Sequence, residues 1–183
     1  MNHLGTKNIE TERLLLHRFT LEDAEEMYHN WASDPEVTEY LTWPPHADME
    51  VTKAVLTDWI QKYEDPASYK WGIVVKESGE LIGDISAKSI DKVNTANLGW
   101  CIGKKWWGKG YMPETAEAVK AFLFAEVGFD RLEAIHDADN QKSGCVMQKI
   151  GMVKEGIHRK RGRNNHGIID EVWYAILKEE YLK

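Results

Sequence analysis

The chain has 183 residues, 43% of them apolar and 29% charged, a globular mixture long enough for one domain to bury a core without metals or disulfides. The formal net charge of −7 argues against generic nucleic-acid binding, which usually needs a basic surface, and no specific DNA binding is expected. No apolar run reaches the roughly 20 residues that span a bilayer, the start lacks a signal peptide's apolar segment, and Cys101 and Cys145 are the only cysteines, so a reduced, cytoplasmic protein is expected.

Residues 1–8 are expected to be flexible. "RLLLHRF" (13–19) reads as a strand with Leu14, Leu16 and Arg18 on one face. The next segment predicts a helix capped by Thr20, with Ala24, Met27, Tyr28 and Trp31 at helical spacing. A short helix starts at Pro35, and Pro44-Pro45 breaks the chain. A second long helix covers 49–64, with Val51, Val55, Trp59 and Ile60 expected on its inner side. Runs at 71–75 and 81–87 form a hairpin about the turn 77–80.

"TANLGWCIGK" (95–104) alternates, with Leu98, Trp100 and Ile102 on one side, and it runs straight into "GKKWWGKG" (103–110). From Pro113 onward "PETAEAVKAFLFAEVGF" predicts a largely buried helix with Glu114, Glu117 and Lys120 as its polar stripe. A strand follows at 131–138, then a helix begun by Asn140 or Ser143 and ended by Gly151. Strands near 153–160 and 168–178 flank the polar stretch "KRGRNNHG". The whole predicts one mixed α/β domain.

"GKKWWGKG" almost spells a nucleotide-binding P-loop, but three points count against one. Gly110 stands where that motif needs a hydroxyl for Mg²⁺. Pro113 would fall inside the helix such a loop begins. Upstream lie a hairpin and an alternating strand, not repeated βαβ units. Strand end, paired glycines and helix start suit a different cradle, in which main-chain N–H groups and the helix dipole hold a pyrophosphate. A Gly-rich turn with no ligand is the plainer alternative.

The run Lys105, Trp106, Trp107, Gly108, Lys109, Gly110 resembles the Q/R-x-x-G-x-G/A signature of the GNAT N-acetyltransferases, where it binds the pyrophosphate of acetyl-CoA; Lys105 departs from the usual Gln or Arg. "TERLLLHRFTLEDAEEMY" is similar to that family's first strand and helix, and "GELIGDISA" to its third strand. "NLGWCIGKKWWGKGYMPETAEAVKAFLF" is similar to its fourth strand, loop and central helix. "DADNQKSGCVMQKIGMVKEG" resembles its N-x-x-S segment and the run after it, with Met152 in place of an aromatic. The branch most resembled, "LTWP" (41–44) included, is the ribosomal-protein N-terminal acetyltransferases, whose members also acetylate other amines.

The resemblance implies a mixed, mostly antiparallel sheet whose fourth and fifth family strands splay apart around acetyl-CoA. Trp100, Cys101 and Ile102 would bind the pantetheine through their backbone, and Lys105 to Tyr111 the pyrophosphate. The amine would attack directly, with no metal and no covalent enzyme intermediate. Many relatives protonate the leaving thiolate with a Tyr on the helix after the fifth strand; "SGCVMQKIG" has none, so Ser143 is the expected hydroxyl, with Asn140 positioning the cosubstrate. Helix capping is the structural alternative for both. For the base, Glu133 and Asp137 share one face of their strand and are the candidates; His136 takes the other face, and Asp84 lies on the third family strand. Cys145 as a nucleophile is not needed.

The basic run "HRKRGRNNHG" (158–167) reads as a solvated hairpin tip or as a contact for acidic substrate or rRNA, whereas the acidic remainder suits a cationic acceptor. The acceptor pocket is expected from segments 31–63 and 158–168. The expected activity is transfer of acetyl from acetyl-CoA to a primary amine, a ribosomal-protein N-terminus or a small molecule; non-catalytic acyl-CoA binding is the alternative, and the resemblance allows a homodimer.

Overall fold

A computed structural model describes residues 1–182. Its centre is an eight-stranded sheet in the order β1-β2-β3-β4-β5-β6-β8-β7. The strands are β1 (Ile9–Glu10), β2 (Leu14–His17), β3 (Ser68–Val75), β4 (Leu81–Ile90), β5 (Thr95–Ile102), β6 (Arg131–Asp137), β7 (Val153–Asn164) and β8 (Gly167–Leu177). Every neighbouring pair is antiparallel except β5 and β6, which run parallel. The connection between those two carries α4 (Tyr111–Phe122), as a parallel pair requires.

Helices cover both faces, so each face has its own core. On one, α4 and α5 (Gln141–Lys149) pack Met112, Ala116, Val119 and Met147 against Leu14, Trp71, Leu98 and Leu132. On the other, α1 (Ala24–Met27, extended by a wider turn through Ala32) and α3 (Met49–Gln61) enclose Phe19, Met27, Trp31, Leu56 and Leu81. The short α2 (Pro35–Thr38) starts as expected, with Pro35 in its first turn and the Asp34 carboxylate accepting from the Glu36 N–H. No helix among the described residues is long and apolar enough to cross a membrane.

Three details depart from the sequence pattern. The inner stripe of α3 is shifted by one residue: Thr52 and Leu56 are buried while Val51 is 39% exposed. Hydrophobicity alone misses Thr52 because its hydroxyl is satisfied by Nδ1 of the buried His46 at 2.8 Å. The basic run is no loop: β7 continues to Asn164, and only 165–166 turn the chain. Its register slips between His158 and Gly162, where Lys160 takes φ +52° and gives its N–H to the Asp170 carboxylate. Residues 2–7 are tied to the body, with Asn2 N–H on the Val127 carbonyl, Gly5 N–H on that of Pro66 and the Trp71 indole on that of Lys7.

Candidate active site

The site begins where the sheet comes apart. β5 and β6 pair from Thr95–Arg131 to Leu98–Ala134 and no further. Beyond that point Gly99 to Ile102 stay with β4, while Ile135 to Asp137 stay with β8. The gap opens into a cavity of about 510 Å³ whose lining includes Trp100, Cys101 and Ile102. The splay expected of strands 95–104 and 131–138 is therefore present.

At the head of β5 the chain makes a tight turn over Lys104–Trp106 and then the glycine loop. Gly103 is required by packing, because a Cβ there would lie 2.3 Å from the Asn30 carbonyl and 2.6 Å from the Trp106 ring. Trp106, 4% exposed, fills that core position. Trp107 turns the other way, donating its indole N–H to the Ile102 carbonyl at 2.8 Å and lying 3.7 Å beneath the Lys142 ammonium.

Gly108 and Gly110 adopt φ +75° and +80°, conformations that favour glycine, and α4 starts at the next residue, Tyr111. A Cβ on Gly108 would meet nothing within 4 Å, so the space before this backbone is open, as close approach of a ligand demands. The first N–H groups of α4 have no intrahelical acceptors and carry the positive end of the helix dipole. Pro113 sits in that first turn, where its missing N–H costs nothing. Arg13 braces the loop: it donates to the Lys109 carbonyl at 3.1 Å, pairs with Glu114 at 2.6 Å and covers the Tyr111 ring. The loop borders the cavity at Trp106, Trp107, Gly108 and Gly110. Lys105 is paired with Glu80, and neither Lys105 nor Lys109 lines the cavity.

The opposite wall is the turn after β6 and the start of α5. Asn140 caps the helix, accepting from the Ser143 N–H, and its amide donates to Ser143 Oγ, both at 3.3 Å. Asn140 and Ser143 line the cavity, so cap and site coincide. Lys142, Cys145, Val146 and Lys149 continue this wall at helical spacing.

Glu133 and Asp137 are not among the lining residues. Glu133 faces Asn97, whose amide donates to it at 3.2 Å, and the Arg131 guanidinium lies 3.5 Å away. Asp137 accepts from the Asp139 N–H at 3.0 Å and from the Asn164 amide at 2.9 Å. His136 is packed against Gly144 with Nδ1 on the Asp137 carbonyl, a support for α5. Asp84 is ion-paired with Lys70 at 2.6 Å and accepts from the Cys101 thiol at 3.2 Å. Burial, then Asp84, pushes that thiol well above its ordinary range.

The third wall comes from α2 and the turn behind it: Glu36, Val37, Glu39, Tyr40 and Leu41. Burial, followed by the carboxylates of Glu39, Asp139 and Asp137, raises the Tyr40 hydroxyl above its usual pKa. This wall falls within segment 31–63, from which the acceptor pocket is expected, but Tyr40 itself carries no motif that would single it out. The basic run of β7 does not line the cavity.

A family model described as "Acetyltransferase (GNAT) domain" matches residues 13–153. An uncharacterized N-acetyltransferase, p20, of Bacillus licheniformis is 32% identical over 176 residues, 93% of this chain and 96% of that protein. The [ribosomal protein uS5]-alanine N-acetyltransferase of Escherichia coli is 25% identical over 113 residues, 61% of this chain and 56% of that one. Among solved structures, a GNAT-family acetyltransferase from Bacillus anthracis superposes with a TM-score of 0.84 at 29% identity, covering 95% of this chain and all (100%) of its own. The splayed strand pair, the glycine cradle and these likenesses agree, and the chain belongs to the GNAT acetyltransferase family.

Proposed function

We propose that this protein transfers the acetyl group of acetyl-CoA to a primary amine by direct attack. The observation that carries the reading is the cavity formed where β5 and β6 part, with Gly108 and Gly110 at one end and open space before Gly108. Acetyl-CoA supplies an activated thioester. Backbone N–H groups from Gly108 to Tyr111 would hold the pyrophosphate, and the edge of β5 at Trp100 to Ile102 would hold the pantetheine. A main-chain N–H on that edge is suited to stabilise negative charge on the acyl oxygen. Ser143, whose Oγ accepts from the Asn140 amide, would give a proton to the leaving sulfur.

Glu39 and Asp139 line the side from which an acceptor would come, while Glu36 there is paired with Lys104; the two carboxylates favour a cationic amine over an acidic substrate. Outside the lining, Glu133 and Asp137 would reach the amine's proton only through water. The relative that acts on ribosomal protein uS5 makes a ribosomal-protein N-terminus the first acceptor to try.

The test is calorimetric titration with acetyl-CoA and, separately, Mg-ATP, followed by CoA release against a ribosomal-protein N-terminal peptide, a polyamine and an amino acid. Micromolar acetyl-CoA binding with turnover on one amine supports the reading. Binding without turnover on any amine would leave a non-catalytic acyl-CoA module. Mg-ATP binding without acetyl-CoA binding would restore the P-loop.

A further inference from the structure

The turn between β7 and β8 is far from the glycine loop in sequence, yet it holds the third wall of the cavity. We infer that Asn165 is a positioning residue for acceptor recognition: its side chain fixes the Tyr40–Leu41 wall against which the amine is presented. The inference rests on the acetyltransferase reading above.

Four hydrogen bonds carry it. The Asn165 amide donates to the carbonyls of Thr38 and Leu41, each at 2.8 Å, and of Trp43 at 3.3 Å, while its backbone N–H donates to Leu41 at 2.9 Å. These carbonyls belong to the last residue of α2 and the bend beyond it; that of Thr38 also accepts the Leu41 N–H at 2.9 Å, and the Asn165 side chain adds a second donor there. A four-residue helix cannot hold its own shape in water, because nucleation costs more than so few bonds return. Asn165 supplies from outside the donors that tie this bend to the β7–β8 turn.

The turn itself is rigid. Asn164 Oδ1 accepts from the N–H groups of His166 and Gly167 at 2.8 and 2.9 Å, a local side-chain-to-backbone closure. The Asn164 amide donates to Asp137 at the end of β6. One short turn is thus fastened on one side to the strand that leads to Asn140 and Ser143, and on the other to the Tyr40 wall. The separation of those two walls is set by neighbouring asparagines.

Only an amide donor fits at 165. A carboxylate would set negative charge against three carbonyl oxygens, and alanine would take the donor from the Trp43 carbonyl and leave those of Thr38 and Leu41 with one backbone N–H each.

The experiment compares wild type, Asn165→Ala and Asn165→Asp. Measurements are acetyl-CoA affinity by calorimetry, KM and kcat for the best amine, and hydrogen exchange across residues 36–43. The expected result is a rise of at least tenfold in amine KM, with kcat changed less than threefold and acetyl-CoA affinity less than twofold. Exchange should quicken in 36–43 and stay unchanged in 103–122. Unaltered amine KM would overturn the inference, as would a parallel loss of acetyl-CoA affinity, which is what general destabilisation gives. Should Asn165→Asp fail to fold, Asn165→Ala decides. A wild type that acetylates no amine would bring down the underlying reading and this inference with it, an outcome visible before any variant is made.

Discussion

The Asn164 amide donates to the Asp137 carboxylate at 2.9 Å, and both residues are buried. The second oxygen of Asp137 holds the Asp139 N–H, so this carboxylate is committed to shaping the turn that presents Asn140 and Ser143. We expect Asp137→Asn to lower kcat by no more than about tenfold, far less than the 10²–10⁴ typical of losing a general base. Asn164→Ala should reproduce the effect, since it removes the same bond from the other end. A loss beyond a hundredfold in Asp137→Asn alone, with the acidic limb of the pH–kcat/KM profile abolished, would make Asp137 the base instead.

The glycine loop makes a sharper prediction. Gly108→Ala introduces a Cβ that touches no protein atom, so its folding cost is the left-handed backbone alone, roughly 1–2 kcal/mol. The methyl would stand in the open space before the cradle. Acetyl-CoA affinity should fall at least tenfold while the thermal midpoint drops only a few degrees. Unchanged affinity at a lowered midpoint would mean that the loop is a turn without a ligand.

The cosubstrate side of this fold was legible because it is local. The alternation of β5, the paired glycines and the helix from Tyr111 follow one another without interruption, so period and punctuation place them. The α3 stripe was misplaced because Thr52 is polar yet satisfied by His46, a partner six residues away that hydropathy cannot see. The basic run hid a strand because β7 lies at the sheet edge, with nearly every residue exposed and no alternation to read. The Tyr40 wall was the least legible part. Its shape depends on Asn165, 124 residues from Leu41, and nothing in "NNH" reveals that contact.

His46 gives the stability a pH dependence. Burial holds its pKa below the ordinary 6.5, so the unfolded chain binds the proton more tightly than the folded one. Stability should therefore be complete above pH 6.5 and fall as the pH drops from there toward the lower folded value. In His46→Gln the step should vanish, giving a flatter curve of thermal midpoint against pH between about 7 and 5. An equal loss in both proteins would assign the acid sensitivity elsewhere.

The two cysteines test the cavity without any turnover. Cys145 is exposed and lines the wall, whereas the partly buried Cys101 thiol is hydrogen-bonded to Asp84 and its pKa is raised. Because the thiolate is the reactive form, iodoacetamide at pH 8 should modify Cys145 alone in the folded protein and both cysteines after denaturation. Saturating acetyl-CoA should slow labelling of Cys145 at least tenfold, since the cosubstrate would lie along the same wall; AMP should not. Labelling of Cys145 at one rate with and without acetyl-CoA would place the binding site outside this cavity. Ready modification of Cys101 in the native state would show that the strand end carrying the proposed pantetheine contacts is less firmly packed than its hydrogen bonds to β4 imply.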